Sequence, residues 1–184
     1  GEHLISLTNK VLTLAKLEHR QLRLDKTECL LRPMLEDLAA KYQAKAEKPI
    51  RYVWKLDAPA VYADEEFLRE ALSNLIDNAV KYSGSEVEIT FASAKRADGS
   101  IAVSVRDNGF GIPLKDQAKI FEKYERASAA SRSRGGGAPG FGLGLNYVLR
   151  IVEAHGGTVK LESIEGEYSE FTLVFPKGTT EGTG

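Results

Sequence analysis

Apolar positions recur at helical spacing through Leu68, Leu72, Leu75 and Ala79. On a helix advancing roughly 100° per residue these form one stripe, with Asn74, Asn78 and Lys81 along its border. Asp64 is placed to cap this helix, and Glu65 and Glu66 fall in its first turn, where the macrodipole favours anions. Asn is a mediocre helix former, because its amide competes for backbone hydrogen bonds. Two of them one turn apart therefore need partners, either neighbouring loops or a ligand.

The same patterning runs along the rest of the chain. Leu4, Leu7, Val11 and Leu14 predict a helix over 1–20 whose seam expects a partner helix. Gln21–Asp25 is a short strand candidate, Arg32–Glu47 a helix carrying Leu35, Leu38 and Ala39, and Ile50–Leu56 a strand that Pro59 closes off. Val87, Ile89 and Phe91 alternate, as do Ile101, Val103 and Val105 after Asp98-Gly99, predicting a strand–turn–strand unit. Asp107–Pro113 breaks it, and Leu114–Tyr124 predicts a short helix. Ala127–Pro139, mostly small residues with Arg132 and Arg134, predicts a mobile loop. Gly140–Gly144 leads into a helix whose Leu145, Val148, Ile151, Val152 and His155 share a face, stopped by Gly156-Gly157. Strands are expected at Val159–Glu162 and Ser169–Phe175, with fraying after Pro176.

Composition narrows the choices. The 184 residues suit one compact domain plus a short extra element, and a formal net charge of −1 offers no basic excess for nucleic acid. A single cysteine, Cys29, excludes an intrachain disulfide and favours a reducing compartment. No apolar run approaches the ~20 residues needed to span a bilayer. The expected location is the cytoplasm, either free or as the cytoplasmic part of a membrane-anchored parent, without direct membrane contact by this chain.

Three stretches carry candidate chemistry. An Asn oxygen in the 74–82 helix suits a hard cation such as Mg²⁺, and Lys81 could neutralise phosphate charge. Asp107–Gly111 is either a tight Asn-Gly turn or a carboxylate beside bare backbone, suited to an exocyclic amino group such as that of adenine. Gly140–Gly144 is either a flexible hinge or, with free N–H groups at a helix start, a phosphate-binding end. It lacks a preceding strand and a P-loop lysine, so it is not a dinucleotide or Walker fingerprint.

Asn74–Tyr82, Asp107–Pro113, Ile120–Arg126 and Gly140–Leu145, in this order and spacing, resemble the N, G1, F and G2 boxes of the sensor histidine kinases, relatives of the gyrase, mismatch-repair and chaperone ATPases. Residues 1–20 resemble the second helix of that family's dimerisation and phosphoacceptor hairpin. The resemblance implies an α+β fold, a two-layer sandwich of mixed sheet on three helices, preceded by one long helix. It divides the chain into a partial hairpin (1–20), an ATP-binding catalytic domain (21–176) and a disordered tail (177–184). It makes Asn78 the Mg²⁺ ligand, Asn74 a supporting polar partner, Lys81 a phosphate contact, and Tyr82 a wall of the nucleotide pocket. Asp107 would hold the adenine amino group, with Gly109 and Gly111 allowing the base to approach. Gly140, Gly142 and Gly144 would let a lid reach the phosphates. Ile112, Tyr124, Phe141, Leu143 and Leu145 complete the expected nucleotide contacts. Phe121 and Tyr124 match the F-box aromatics, and Lys123 stands where a proline is usual.

The family's acceptor histidine, followed by an acid in the first hairpin helix, has no counterpart here. His3 and His19 lie in the wrong helix, and His155 reads as structural. The expected activity is ATP-dependent phosphoryl transfer to a histidine on a hairpin supplied by the same or a partner chain, with a response-regulator receiver domain downstream and a homodimer as the working unit. Asn74 stands where hydrolysing relatives carry a glutamate, and an amide cannot activate water. Glu70, one turn earlier, is the residue through which slow ATP hydrolysis would run. A non-catalytic ATP sensor and a serine or threonine kinase of the same superfamily are the other readings.

Overall fold

A computed structural model describes residues 23–121 and 144–178, together with the backbone alone at Gly142 and Leu143. The expected helix over 1–20 lies outside these residues. So do the loop 127–139 and the box residues Tyr124, Gly140 and Phe141.

In chain order the elements are β1 (Lys26–Leu30), α1 (Leu31–Lys45), β2 (Ile50–Leu56), β3 (Ala60–Asp64), α2 (Glu65–Lys81), β4 (Val87–Lys95), β5 (Ile101–Asp107), α3 (Leu114–Gln117), α4 (Gly142–Ala154), β6 (Thr158–Ile164) and β7 (Tyr168–Phe175). Five strands form one sheet in the order β2-β4-β5-β7-β6, while β1 and β3 pair separately. Only β2 and β4 run parallel in the large sheet; its other pairs are antiparallel, so the sheet is mixed.

Alternation decides which side of the sheet is covered. Ile89, Phe91, Val103, Val105, Phe171, Leu173 and Phe175 are all buried, and their intervening neighbours, Val174 apart, are half-buried or exposed. Against that inner face lie α1, α2 and α4, with α2 between the other two. The fold is the expected α+β sandwich of a mixed sheet on three helices.

Helix α2 forms where its caps and stripe predict. Asp64 Oδ1 accepts from the Phe67 N–H at 3.2 Å, and Leu68, Leu72, Leu75 and Ala79 are buried together with Ala71 and Ile76. Helix α4 ends just before Gly156, which takes φ +80°.

Three expectations are corrected. The first described strand lies at Lys26–Leu30, its register set by distant β3, where Cys29 pairs with Val61 and Lys26 with Asp64; of the expected Gln21–Asp25, positions 21–22 lie outside the described residues and 23–25 form no strand. Strand β3 itself occupies the short gap between Pro59 and the α2 cap, with only Val61 and Ala63 to mark alternation. The helix after Pro113 covers only four residues, Leu114–Gln117, because Asp116 and Ile120 are buried while Leu114 stands 83% exposed. Beyond Pro176, Lys177 packs against Gly99 and Gly178 against Tyr62. Among the described residues no helix is long and apolar enough to cross a membrane.

Candidate functional site

The α2 helix and the end of β5 meet at one edge of the sandwich. Asp107 is the last residue of β5 and shares the inward face with Val103 and Val105, flanked in register by Ile89 on β4 and Ser169 on β7. A carboxylate at an inward strand position is desolvated, and burial pushes its pKa up from 3.8 to about 7. Hydrogen bonds from the Gly109 and Ser169 N–H groups, and the Arg106 charge, pull the other way. Gly109 N–H donates to Asp107 Oδ1 at 2.8 Å.

The loop that follows is tied to the C-terminal end of α2. Phe110 N–H donates to the Tyr82 carbonyl at 2.9 Å, and Tyr82 N–H in turn caps the helix on Asn78 O at 3.0 Å. Ser83 Oγ donates to Ala79 O. Asn108 staples the loop to the start of β4, accepting from Glu88 N–H at 2.9 Å and donating to Glu86 O at 3.2 Å. A cavity of about 480 Å³ opens beside this junction, lined by Ser85, Glu86, Asn108, Gly109 and Phe110 among others.

Both loop glycines are explained by contacts within the protein. A Cβ on Gly109 would collide with the Tyr82 carbonyl, and would also lie 2.8 Å from Asp107 Oδ1 and from Ser83 Oγ. Gly111 takes φ +70°, and a Cβ there would collide with the Ile164 carbonyl of the β6–β7 turn. These contacts require glycine at both positions whether or not a base also approaches them.

The two amides of α2 differ. Asn74 Nδ2 donates to the Glu70 carbonyl at 2.9 Å, within its own helix. Asn78 Nδ2 is buried without a hydrogen-bond partner. Such a donor is costly unless something brings it an acceptor. Lys81 is turned elsewhere in the structure: its ammonium pairs with Asp77 at 2.8 Å, and the side chain is 57% exposed.

Ile112 and Leu145 are core residues, 4% and 0% exposed. Ile112 is pinned by its N–H to Ser163 Oγ at 2.8 Å and by Gln117 Nε2 to its carbonyl at 2.9 Å. Gly142 and Leu143 open α4. Gly144, in its first turn, lies over Asn74, since a Cβ there would sit 3.7 Å from Asn74 Oδ1. The structure thus gathers Asn74, Asn78, Tyr82, Asp107, Gly109 and Gly144 around the two ends of the α2 border, and keeps Lys81 at its rim.

Residues that pattern reading passes over hold this arrangement. Tyr147, 1% exposed, donates its hydroxyl to Glu70 Oε2 at 2.7 Å. Asn146 Nδ2 donates to the Phe121 carbonyl at 2.7 Å, and Phe121 meets Phe171 edge-on at 6.0 Å. A buried tyrosine generally needs a partner for its hydroxyl, which is the one signal that could have pointed to Tyr147. His155 is structural, bonded to Asp64 and Ile151.

Among solved structures, full-length ShkA in complex with AMPPNP superposes with a TM-score of 0.82 and 31% identity over 98% of this chain and 37% of that one. The catalytic domain of the histidine kinase ThkA gives 0.70 and 25%, covering 84% of this chain and 99% of that domain. The adaptive-response sensory kinase SasA of Crocosphaera subtropica is 35% identical over 92% of this chain, which spans only 44% of that relative. A family model described as histidine kinase-, DNA gyrase B- and HSP90-like ATPase matches residues 63–179, well over half of the sequence. On this fold and this match, the chain belongs to the histidine kinase-, DNA gyrase B- and HSP90-like ATPase family.

Proposed function

We propose that the chain binds ATP with Mg²⁺ and transfers the γ-phosphoryl group to a histidine on a helical hairpin, as the catalytic domain of a sensor histidine kinase. The observation that carries this reading is the buried, unpartnered Asn78 amide nitrogen on the helix whose end is bonded to the Asp107 loop. An amide N–H wanting an acceptor at one end and a desolvated carboxylate at the other suit a ligand with a polyphosphate and an amino-bearing base. Family membership and the sensory-kinase names of relatives such as SasA of Crocosphaera subtropica support the same reading.

Asp107 would accept from the exocyclic amino group of adenine, within a wall made by Tyr82 and the 109–112 backbone. Asn78 fits a hard cation through its amide oxygen, and Asn74 stands one turn away. Bound Mg²⁺ would draw charge from the phosphate oxygens. Lys81 would exchange Asp77 for a phosphate. Gly140, Gly142 and Gly144, with Phe141, Leu143 and Tyr124, would complete the phosphate end. Phosphoryl transfer to a neutral imidazole then needs positioning and charge stabilisation more than a base.

Hydrolysis is disfavoured on two counts. Position 74 is an amide, and the Glu70 carboxylate is occupied by the Tyr147 hydroxyl. The working assembly in this reading is cytoplasmic and dimeric, with residues 1–20 as half of a hairpin, 21–176 as the ATP-binding unit and 177–184 as a tail, passing phosphate to a receiver domain.

The test mixes this chain with ATP·Mg²⁺ and a separately made hairpin bearing an acceptor histidine. Acid-labile, base-stable label on the hairpin is the expected result. Tight ATP binding without label would replace the kinase by an ATP sensor, and acid-stable label would replace it by a serine or threonine kinase.

A further inference from the structure

We infer that Glu70 and Tyr147 are positioning residues, a latch between α2 and α4 that sets the phosphate end of the site. The inference rests on the nucleotide-binding reading above. Glu70 makes two bonds from one residue: its side chain accepts from Tyr147 on α4 at 2.7 Å, and its carbonyl accepts from Asn74 Nδ2 at 2.9 Å. The first turn of α4 then lies directly on that same amide, through Gly144. Glu70 therefore fixes both the Asn74 side chain and the helix that covers it.

Burial makes this fixing strong. Tyr147 is 1% exposed, so its hydroxyl has no bulk water to fall back on, and a short O–H···O⁻ bond to a carboxylate is among the stronger kinds. The base end is held independently, by Gly109 on Asp107 and by Phe110 on Tyr82. Loosening the latch should thus disturb phosphate recognition and leave base recognition alone. The role asks only for an oxygen acceptor at position 70. A general base at that position would instead need the carboxylate itself, so the two roles separate on one substitution.

The experiment measures displacement of a fluorescent ATP analogue by ATP·Mg²⁺ and by adenosine, well below the unfolding temperature of each variant. Y147F and E70A are expected to weaken ATP·Mg²⁺ about tenfold each, and the double variant no further, because both remove one bond. Adenosine should stay within about twofold of wild type in all of them. E70Q keeps an acceptor oxygen and should restore ATP affinity to within about threefold. Unchanged ATP affinity in folded Y147F and E70A overturns the latch. So does a parallel loss of adenosine, which would mark a general loss of structure, and so does an E70Q as weak as E70A. Wild-type protein that binds no ATP would remove the functional reading and the latch together. An intact wild type with an indifferent Y147F removes the latch alone.

Discussion

The backbone N–H of Asp64 donates to Nε2 of His155, 3.0 Å away across 91 residues of chain. The other ring nitrogen lies 2.7 Å from the Ile151 carbonyl, which can only accept, so Nδ1 carries the proton and the ring is neutral. Since Asp64 also caps α2, this imidazole fixes the start of the helix that bears the site. Burial lowers the His155 pKa below 6.5, with the Ile151 carbonyl acting in the opposite sense, Lys26 lowering it further and Asp64 raising it. The unfolded chain therefore takes up the proton first as the pH falls. Stability from this group is complete above about pH 6.5 and is lost as the pH drops through the window down to the folded value. His155→Phe should lower stability by about 1–3 kcal/mol at neutral pH, by orphaning the Asp64 N–H. In urea unfolding it should also flatten the wild-type decline below pH 6.5. An unaltered slope would show that the ring does not govern it.

Asp107 works in the opposite direction. Its folded pKa of about 7 lies above the ordinary 3.8, so the folded chain holds the proton through that window. Its contribution to stability is present below 3.8 and is lost as the pH rises through 7. Asp107→Asn mimics the protonated form, and wild type should lose stability relative to it between about pH 4 and pH 7. Adenine recognition runs the other way, because the ionised carboxylate is the better acceptor. Wild-type ATP affinity should rise as the pH passes through about 7, measured as a ratio to Asp107→Asn so that the titration of ATP itself cancels. Asp107→Ala should weaken ATP at least about tenfold in calorimetry. Undiminished affinity in a well-folded Asp107→Ala would sink base recognition at this position.

Gly111 separates packing from ligand contact. Its φ of +70° and the Ile164 carbonyl beside it make any Cβ strained and overlapping. Gly111→Ala should cost at least about 2 kcal/mol in thermal or urea unfolding without nucleotide present. Gly84, whose Cβ position has nothing within 4 Å, is the control, and Gly84→Ala should stay within about 0.5 kcal/mol. Equal stability of the two variants would show that packing does not require glycine at position 111.

What the pattern of residues made legible was local. The α2 stripe, its Asp64 cap, the alternation in β4, β5 and β7 and the apolar face of α4 all follow from spacing within one element. Asp107 was visible as an acid at the end of the buried strand of Val103 and Val105. The losses are long-range. Strand β1 exists because β3 pairs with it across α1 and β2, and neither has enough alternation to announce itself. Glu70 reads as a candidate base one turn before Asn74 until Tyr147 is brought against it from 77 residues away. Lys81 is different, since Asp77 four residues earlier is an ordinary helix ion-pair spacing, and that rule alone would have placed its ammonium at the rim.

Asn78 gives the sharpest separation of stability from binding. A buried amide nitrogen without a partner is a standing cost in the folded chain, and an apolar side chain of similar size removes it. Asn78→Leu should therefore unfold at the wild-type denaturant concentration or above it, gaining up to about 1 kcal/mol. The same variant should lose at least about tenfold in affinity for ATP with Mg²⁺ and become indifferent to chelation of the metal. The pairing of the two results matters, because most substitutions that abolish binding also destabilise. If Asn78→Leu loses stability and affinity together, the amide is a structural bond that solvent or a neighbouring loop satisfies. If it keeps a metal-dependent affinity, the cation is held elsewhere on the chain.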